Sequence, residues 1–377
     1  VTALLALLST AVALLAIAGL VAVIVGAATV RRFAARHTAP PISRPPVTVL
    51  KPLCGDEPRL EAALVSICNQ TYPDFQIVFG VQSADDPALD AVRRVQASHP
   101  DCDIAIIIDA AAHGANRKVA NLLNMMPSVK HDILVFSDSD LHVGPDYLDQ
   151  VVAALAEPQV GLVTTICLGL PTAGSIAARL GATGISHCFL PGVLLSRALG
   201  RADCLGTTMA LHRDTLASIG GLHALVPHVG DDNVLGRRVH RLGLRIALAS
   251  TVPMTAVPER TLQALWQHEL RWARTIRALE PLLFATSVVQ FPLFWAALAL
   301  VFSAAAPWSL ALCGAAWLIR LAAARSIDHS LGAAAGASSW LLPLRDALSV
   351  AEIVASYAGA RVVWRGHTMR ATGYRPV

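Results

Sequence analysis

Ile133-Leu-Val-Phe-Ser-Asp-Ser-Asp-Leu-His142 is the stretch whose reading decides the fold. A run of β-branched and aromatic residues stops at two aspartates, Asp138 and Asp140, one residue apart. The run predicts a buried strand with both acids at its carboxyl end, where open α/β sheets bind their ligands. Strand alternation sends Asp138 and Asp140 the same way, with Ser139 between them. Two convergent carboxylates suit a hard divalent cation, Mg2+ or Mn2+, which would in turn clamp a diphosphate. Taken alone, the stretch fits an Asp-rich turn equally well.

Working outward, the same punctuation repeats. Toward the N-terminus, Val47–Leu50 reads as a strand running into Lys51, and 60–68 has helical spacing. Phe75–Val81 is a second strand, ending in Gln82-Ser-Ala-Asp85-Asp86. A helix over 88–97 and a strand over 104–108 follow, then the polar loop Gly114-Ala-Asn-Arg-Lys118 and a helix through Asn121. On the other side come a helix at 145–155, a strand at 161–166, a Gly-rich stretch 171–205 holding His187, and a strand at 207–212. A helix over 213–221 and the acid pair Asp231-Asp232, ahead of a helix over 234–242, close the series. Alternating strands and helices predict an α/β domain with a largely parallel sheet.

Both ends of the chain have another character. Of 377 residues 54% are hydrophobic, more than a wholly soluble chain carries, and the excess sits at the two ends. Leu4–Val30 is apolar, uncharged and longer than the roughly 20 residues a helix needs to cross a bilayer. Arg31, Arg32 and Arg36 follow it, so the basic flank is expected to stay cytoplasmic and the segment to be an uncleaved anchor rather than a signal peptide. Leu282–Ala305 and Trp308–Ala324 are each long enough to span. Asp346, Glu352 and Arg361 break up the last apolar stretch, which predicts an interfacial or bundle-facing helix there. The expected organisation is an anchor over 1–31, a stiff Pro-rich linker over 32–46, a cytoplasmic catalytic domain over 47–280, membrane or interfacial helices over 281–364 and a basic cytoplasmic tail over 365–377. The net charge of +4 comes with no Lys/Arg block interleaved with aromatics, which argues against a nucleic-acid partner. Seven scattered cysteines without a CxxC pair fit buried, reduced thiols.

Three acid pairs end separate elements: Asp85/Asp86, Asp138/Asp140 and Asp231/Asp232. A fourth motif, His268-Glu-Leu-Arg271-Trp272, precedes the second apolar segment. Together they fit transfer of a sugar from a nucleotide diphosphate. The first pair would accept hydrogen bonds from base or ribose, and the second would hold the cation that neutralises the departing diphosphate. An acid of the third would be the general base for an attacking hydroxyl, which implies inversion at the anomeric carbon. Arg271 would supply charge to the pyrophosphate and Trp272 an aromatic wall.

The motifs Leu50-Lys-Pro-Leu53, Val81-Gln-Ser-Ala-Asp-Asp-Pro-Ala88, Arg117-Lys-Val-Ala-Asn-Leu122, Ser137-Asp-Ser-Asp140, Ile185-Ser-His187, Asp231-Asp232, His268–Trp272 and Trp364-Arg-Gly366 make the chain resemble glycosyltransferases of the GT-A fold. The likeness is to the ceramide glucosyltransferase family and its bacterial hopanoid-associated relatives. The resemblance implies Asp85 and Asp86 as the nucleotide-binding acids, Asp138 and Asp140 as the metal–diphosphate motif and Asp232 as the base. It puts Lys51, Lys118, Asn121 and Asp231 near a UDP-sugar donor and His187 near the acceptor. It makes Arg271 and Trp272 the end of a motif usually begun by Gln or Arg, where this chain has His268. A multi-pass protein of a bacterial inner membrane, moving N-acetylglucosamine or glucose to a lipid hydroxyl, is the function implied. A hopanoid polyol is preferred to ceramide because of the Ala/Arg-rich composition and the DSD where the eukaryotic branch tends to DSG. A processive polysaccharide synthase and a nucleotide-sugar-binding membrane carrier are the alternatives.

Overall fold

The computed structural model describes residues 2–36, 41, 43–333, 338–364 and 367–370. The first apolar stretch is one helix, α1 (Thr2–Ala34). Then β1 (Val47–Pro52), α2 (Leu60–Cys68), β2 (Phe75–Val81), α3 (Ala88–Ser98), β3 (Asp103–Ile108), α4 (Arg117–Met125) and β4 (Ile133–Ser137) alternate as expected. A two-residue β5 (Leu141–His142) leads to α5 (Tyr147–Leu155), β6 (Val160–Thr164) and β7 (Leu168–Pro171). The Gly-rich stretch is helical: α6 (Ile176–Gly184), a π-helical turn Ile185–Phe189, and α7 (Leu190–Ala198). β8 (Thr208–His212), α8 (Arg213–Ser218), α9 (Asp231–Arg241), β9 (Arg245–Leu248) and β10 (Met254–Val257) follow. The chain goes on through α10 (Leu262–Leu279), α11 (Pro281–Thr286), α12 (Pro292–Phe302), α13 (Pro307–Leu331), α14 (Leu341–Ser356) and the hairpin β11 (Arg361–Trp364) with β12 (His367–Arg370).

Two compact units emerge, and neither is continuous in sequence. One gathers His37–Thr172 and Ala202–Pro258; the other gathers Val1–Arg36, Ala173–Arg201 and Glu259–Gly373. The segment 173–201 and the motif around Trp272 thus lie in the same unit as the long apolar helices, whereas the sequence suggested one domain from 47 to 280.

The first unit is the α/β body. Its main sheet has the order β3-β2-β1-β4-β8-β6-β9. β1 to β4 are parallel, β8 runs antiparallel between β4 and β6, and β6 pairs parallel with β9. The mostly parallel GT-A-type sheet is therefore present. Leu134, Val135 and Phe136 of β4 are fully buried, as their unbroken apolar run requires. From β1 the chain winds outward to β3, then returns to lay β4 on the other side of β1. That makes β1/β4 the point where the winding direction changes, and ligands bind at such points in open sheets. A second sheet, β5-β10-β7, sits just beyond β4 and pairs Thr255 with Leu141.

The second unit is helical. Within it α1 and α13 are long and apolar enough to cross a membrane, through Ala3–Ala34 and Pro307–Leu331. The continuous span expected over Leu282–Ala305 is not one helix. It breaks before Pro292, and the segments Pro281–Gln290 and Pro292–Phe302 meet at 68°. Pro292 has no N–H to continue a helix and sits at the first turn of α12, where proline is tolerated. The next amide, Leu293 N–H, donates to Asp346 Oδ2 at 3.2 Å, so a carboxylate from α14 satisfies the opened helix end. Asp346 and Glu352 are buried, so α14 turns its charges into the helical unit. Linker residues 37–40 and 42, and tail residues 365–366 and 371–377, lie outside the described residues. No disulfide forms among the described residues; Cys68, Cys167, Cys188 and Cys204 are buried, while Cys54 is exposed.

Candidate active site

The α/β body brings two of the three acid pairs together around the end of β4. The strand stops at Ser137, and Asp138–Asp140 form a turn rather than a strand continuation. The alternation argument therefore does not apply to them, and each acid is placed by its own partners. Asp138 Oδ1 takes a 2.5 Å bond from Lys118 Nζ in the first turn of α4. Asp140 Oδ2 accepts from Thr255 Oγ1 at 2.6 Å and from Ala256 N at 3.1 Å on β10. Lys51, at the end of β1, is fully buried and donates to Ser137 Oγ at 3.1 Å and to the Asp138 carbonyl at 2.7 Å. Each lysine is thus fixed at the switch point of the sheet.

Asp231 and Asp232 open α9, where the helix dipole favours negative charge. Asp231 Oδ1 accepts from Asn116 Nδ2 at 3.2 Å, and Asp232 Oδ1 accepts from the Asn233 amide at 2.7 Å. The other Asp232 oxygen faces Gly206, where a Cβ would lie 3.2 Å from it. Lys118 Nζ also reaches the Gly206 carbonyl, at 3.3 Å, so Asp138, Lys118, Gly206 and the α9 acids share one neighbourhood.

Electrostatics follow from that crowding. Four carboxylates (Asp138, Asp140, Asp231, Asp232) face two ammonium groups (Lys51, Lys118), an excess of two negative charges when all are ionised. Burial, then the neighbouring Asp231, pushes the Asp232 carboxyl up to about 7. Burial and Asp138 raise Asp140, against the Thr255 hydrogen bond and Lys51. Asp231 is likewise raised by burial, with Lys118 and Asn116 opposing. Burial lowers Lys51 to about 8 although Asp140 and Asp138 pull the other way. Burial also works against the charge on Lys118, but Asp138, Asp231 and Asp232 outweigh it and raise its value. Surplus buried negative charge on hard oxygens is the chemistry that receives a divalent cation with a diphosphate. Among the described residues no three His, Cys, Asp or Glu side chains form a ready cage. Two carboxylates completed by phosphate oxygens is nevertheless a usual way to hold Mg2+, and Asp138 and Asp140 fit that pattern.

The remaining expected residues fall elsewhere. Asp86 Oδ1 accepts from Gly55 N at 2.8 Å and from Ala88 N at 3.0 Å, so one of its oxygens shapes the turn after β2; Asp85 is exposed. Asn121 donates to the Gly80 carbonyl at 2.8 Å and is buried between α4 and β2, where it clamps helix to sheet. In the helical unit, His187 lies in the π-helical turn, buried, with Nε2 2.6 Å from Asp328 Oδ1. His268 Nδ1 is 2.5 Å from Glu259 Oε1, and its ring meets Trp272 edge-on at 4.5 Å between centroids. The Arg271 guanidinium lies 6.0 Å from the Trp272 ring centroid.

Sequence reasoning passed over Asn116, Gly206, Thr255 and Glu259. Only Asn116 left a signal, as the polar residue ahead of a helical run. Its Oδ1 caps α4 by accepting from Val119 N at 3.1 Å, and its Nδ2 donates to the His228 carbonyl at 2.8 Å as well as to Asp231. Asn116→Ser keeps a capping oxygen and loses both donors. A hydrogen bond to a charged group contributes about 1.5–3 kcal/mol to stability, so the thermal midpoint is expected to fall by a few degrees, read by thermal unfolding of the variant beside the wild type.

A mostly parallel sheet whose switch point gathers a buried and a half-buried lysine with an excess of carboxylates defines a GT-A-type glycosyltransferase body. The chain belongs to glycosyl transferase family 21, whose model matches residues 11–374. It is similar to ceramide glucosyltransferase 1 of Caenorhabditis elegans, 24% identical over 248 residues covering 65% of this chain and 53% of that protein. A ceramide glucosyltransferase of Komagataella phaffii is 34% identical over 131 residues, 33% of this chain and 26% of that one. The chain spans about half the length, or less, of these curated relatives. Among solved structures, the mannosyltransferase PcManGT from Pyrobaculum calidifontis, in complex with GDP-Man and Mn2+, shares the fold with a TM-score of 0.54 and 23% identity. The match covers 93% of this chain and 99% of that one.

Proposed function

We propose that the chain is a membrane-bound inverting glycosyltransferase that moves N-acetylglucosamine or glucose from a UDP-sugar to a lipid hydroxyl, a hopanoid polyol before others. The observation that carries the reading is the cluster at the switch point, where acids from the turn after β4 and from α9 converge on Lys118. In this reading Asp232 removes the proton of the attacking hydroxyl, and its raised carboxyl suits a base working near neutral pH. Lys118, and Lys51 behind Asp138, hold charge and position for the diphosphate. A divalent cation, when bound by Asp138 and Asp140, would supply Lewis-acid stabilisation of the leaving group. Asp85 and Asp86 are assigned to the nucleotide, Arg271 to the leaving diphosphate, and His268 and Trp272 to orienting the sugar or acceptor; these roles rest on the resemblance. His187 is assigned to the acceptor on the same ground. The α/β body is assigned to the cytoplasmic face of a bacterial inner membrane; Arg31 and Arg32 in the last turn of α1, and Arg36 after it, support that assignment.

Transfer of glucose to ceramide is the second reading, favoured by the curated relatives named ceramide glucosyltransferases. Membranes holding the protein would be incubated with UDP-glucose or UDP-N-acetylglucosamine and with ceramide or a hopanoid polyol, and the lipids read by mass spectrometry. A hopanoid carrying one added sugar is the expected product. Glycosylated ceramide alone would select the second reading, and binding of the donor with no release of UDP in any combination would contradict both.

A further inference from the structure

We propose that Arg345 is a positioning residue for the His268–Trp272 motif, an inference that rests on the glycosyltransferase reading of that motif. Arg345 on α14 is 1% exposed, and each of its three side-chain nitrogens has a partner. Nη1 makes 2.9 Å bonds to both carboxylate oxygens of Glu269, the residue directly after His268. Nη2 donates to Glu352 Oε2 at 2.9 Å, and Nε to Ser349 Oγ at 3.1 Å. Nη1 also lies 3.4 Å from the Leu180 carbonyl of α6. Gly184 of α6 leaves the room this requires: a Cβ there would sit 3.1 Å from Arg345 Nη1 and 3.3 Å from Glu269 Oε1. Three helices therefore meet on one ion pair.

Stability is a poor explanation for such a cluster. Removing one guanidinium and two carboxylates from water costs about what their attraction returns, and apolar replacements of similar volume often do as well or better. What an arginine adds is geometry, since its planar guanidinium presents Nη1 to Glu269, Nη2 to Glu352 and Nε to Ser349 at fixed angles, and holding the last two sets where Glu269 is held. Glu269 lies two residues before Arg271 and three before Trp272, and each helical residue turns about 100°. Clamping Glu269 on the buried face therefore sets where Arg271 and the half-exposed Trp272 emerge from α10. The Glu259–His268 pair fixes the neighbouring residue of the same motif, so α10 is held at two consecutive positions.

The test uses the full chain in detergent. Arg345→Lys keeps the charge and loses the planar guanidinium; kcat is expected to fall about tenfold or more while KM for the UDP-sugar stays within about threefold. The neutral variant Glu269→Leu/Arg345→Met/Glu352→Leu is expected to keep its thermal midpoint and yet show the same loss of kcat. In Arg345→Lys, amide hydrogen exchange across 266–274 is expected to quicken about tenfold relative to the rest of α10. Wild-type kcat in a folded neutral variant, or unchanged exchange in Arg345→Lys, would overturn the inference. The exchange measurement needs no substrate. If the wild-type protein transfers no sugar, the functional reading fails while exchange still decides whether Arg345 holds the motif.

Discussion

Asp232→Asn is expected to lower sugar transfer by about 10²–10⁴-fold, the usual contribution of a general base, while UDP-sugar affinity stays within about threefold. Kinetics and donor binding measured on the same preparation separate the two effects. The pH dependence gives a second readout. Asp232 must be ionised to accept a proton, and burial beside Asp231 pushes its carboxyl up to about 7. In the wild type kcat/KM should rise with pH through that value and level off above it; the Asn variant should lose this limb. The stability sign runs the other way. A carboxyl raised in the fold from its ordinary 3.8 to about 7 loses stability to ionisation as pH rises across that interval. Asp232→Asn should therefore melt higher than wild type at pH 8 and close to it at pH 4. A variant that transfers sugar at the wild-type rate would remove Asp232 from the reaction.

Asp140→Asn should produce the second large effect, a loss of about 10²-fold or more in transfer together with the response to Mn2+ or Mg2+. This variant is cleaner than Asp138→Asn. An asparagine oxygen can still accept the bonds that Thr255 Oγ1 and Ala256 N now give to Asp140 Oδ2, so the turn should keep its shape. Asp138, by contrast, pairs with Lys118 at 2.5 Å, and neutralising it would leave a half-buried ammonium without the charge of its nearest partner. Activity assayed in EDTA and after addition of Mn2+ checks the prediction. Undiminished cation stimulation in Asp140→Asn would exclude this carboxylate as a ligand.

What the sequence disclosed followed from local periodicity. β1 to β4 each announce themselves as β-branched or apolar runs between turns, so the parallel half of the sheet and the acids at its ends could be read directly. The segment 173–201 could not be read in that way. Its glycines weaken any helical pattern, and Gly184 serves an approach by Arg345 and Glu269 that no spacing reveals. The small sheet was hidden for a related reason: β5 has two residues, and β10 reaches it from more than a hundred positions away. The break before Pro292 was marked by the proline itself, but the length of the apolar run outweighed that signal. His268 stood out as a departure from its motif, while its partner Glu259, nine residues upstream, had no distinguishing context.

The central claim is that the acids beyond β4 form the cation-dependent half of a donor site. The most direct measurement is calorimetric titration of UDP into the purified protein, in EDTA and in Mn2+, for the wild type and for Asp140→Asn. Affinity for UDP should rise at least tenfold with Mn2+ in the wild type, and that gain should vanish in the variant. Equal UDP affinity with and without Mn2+ in the wild type, or an undiminished gain in Asp140→Asn, would contradict it.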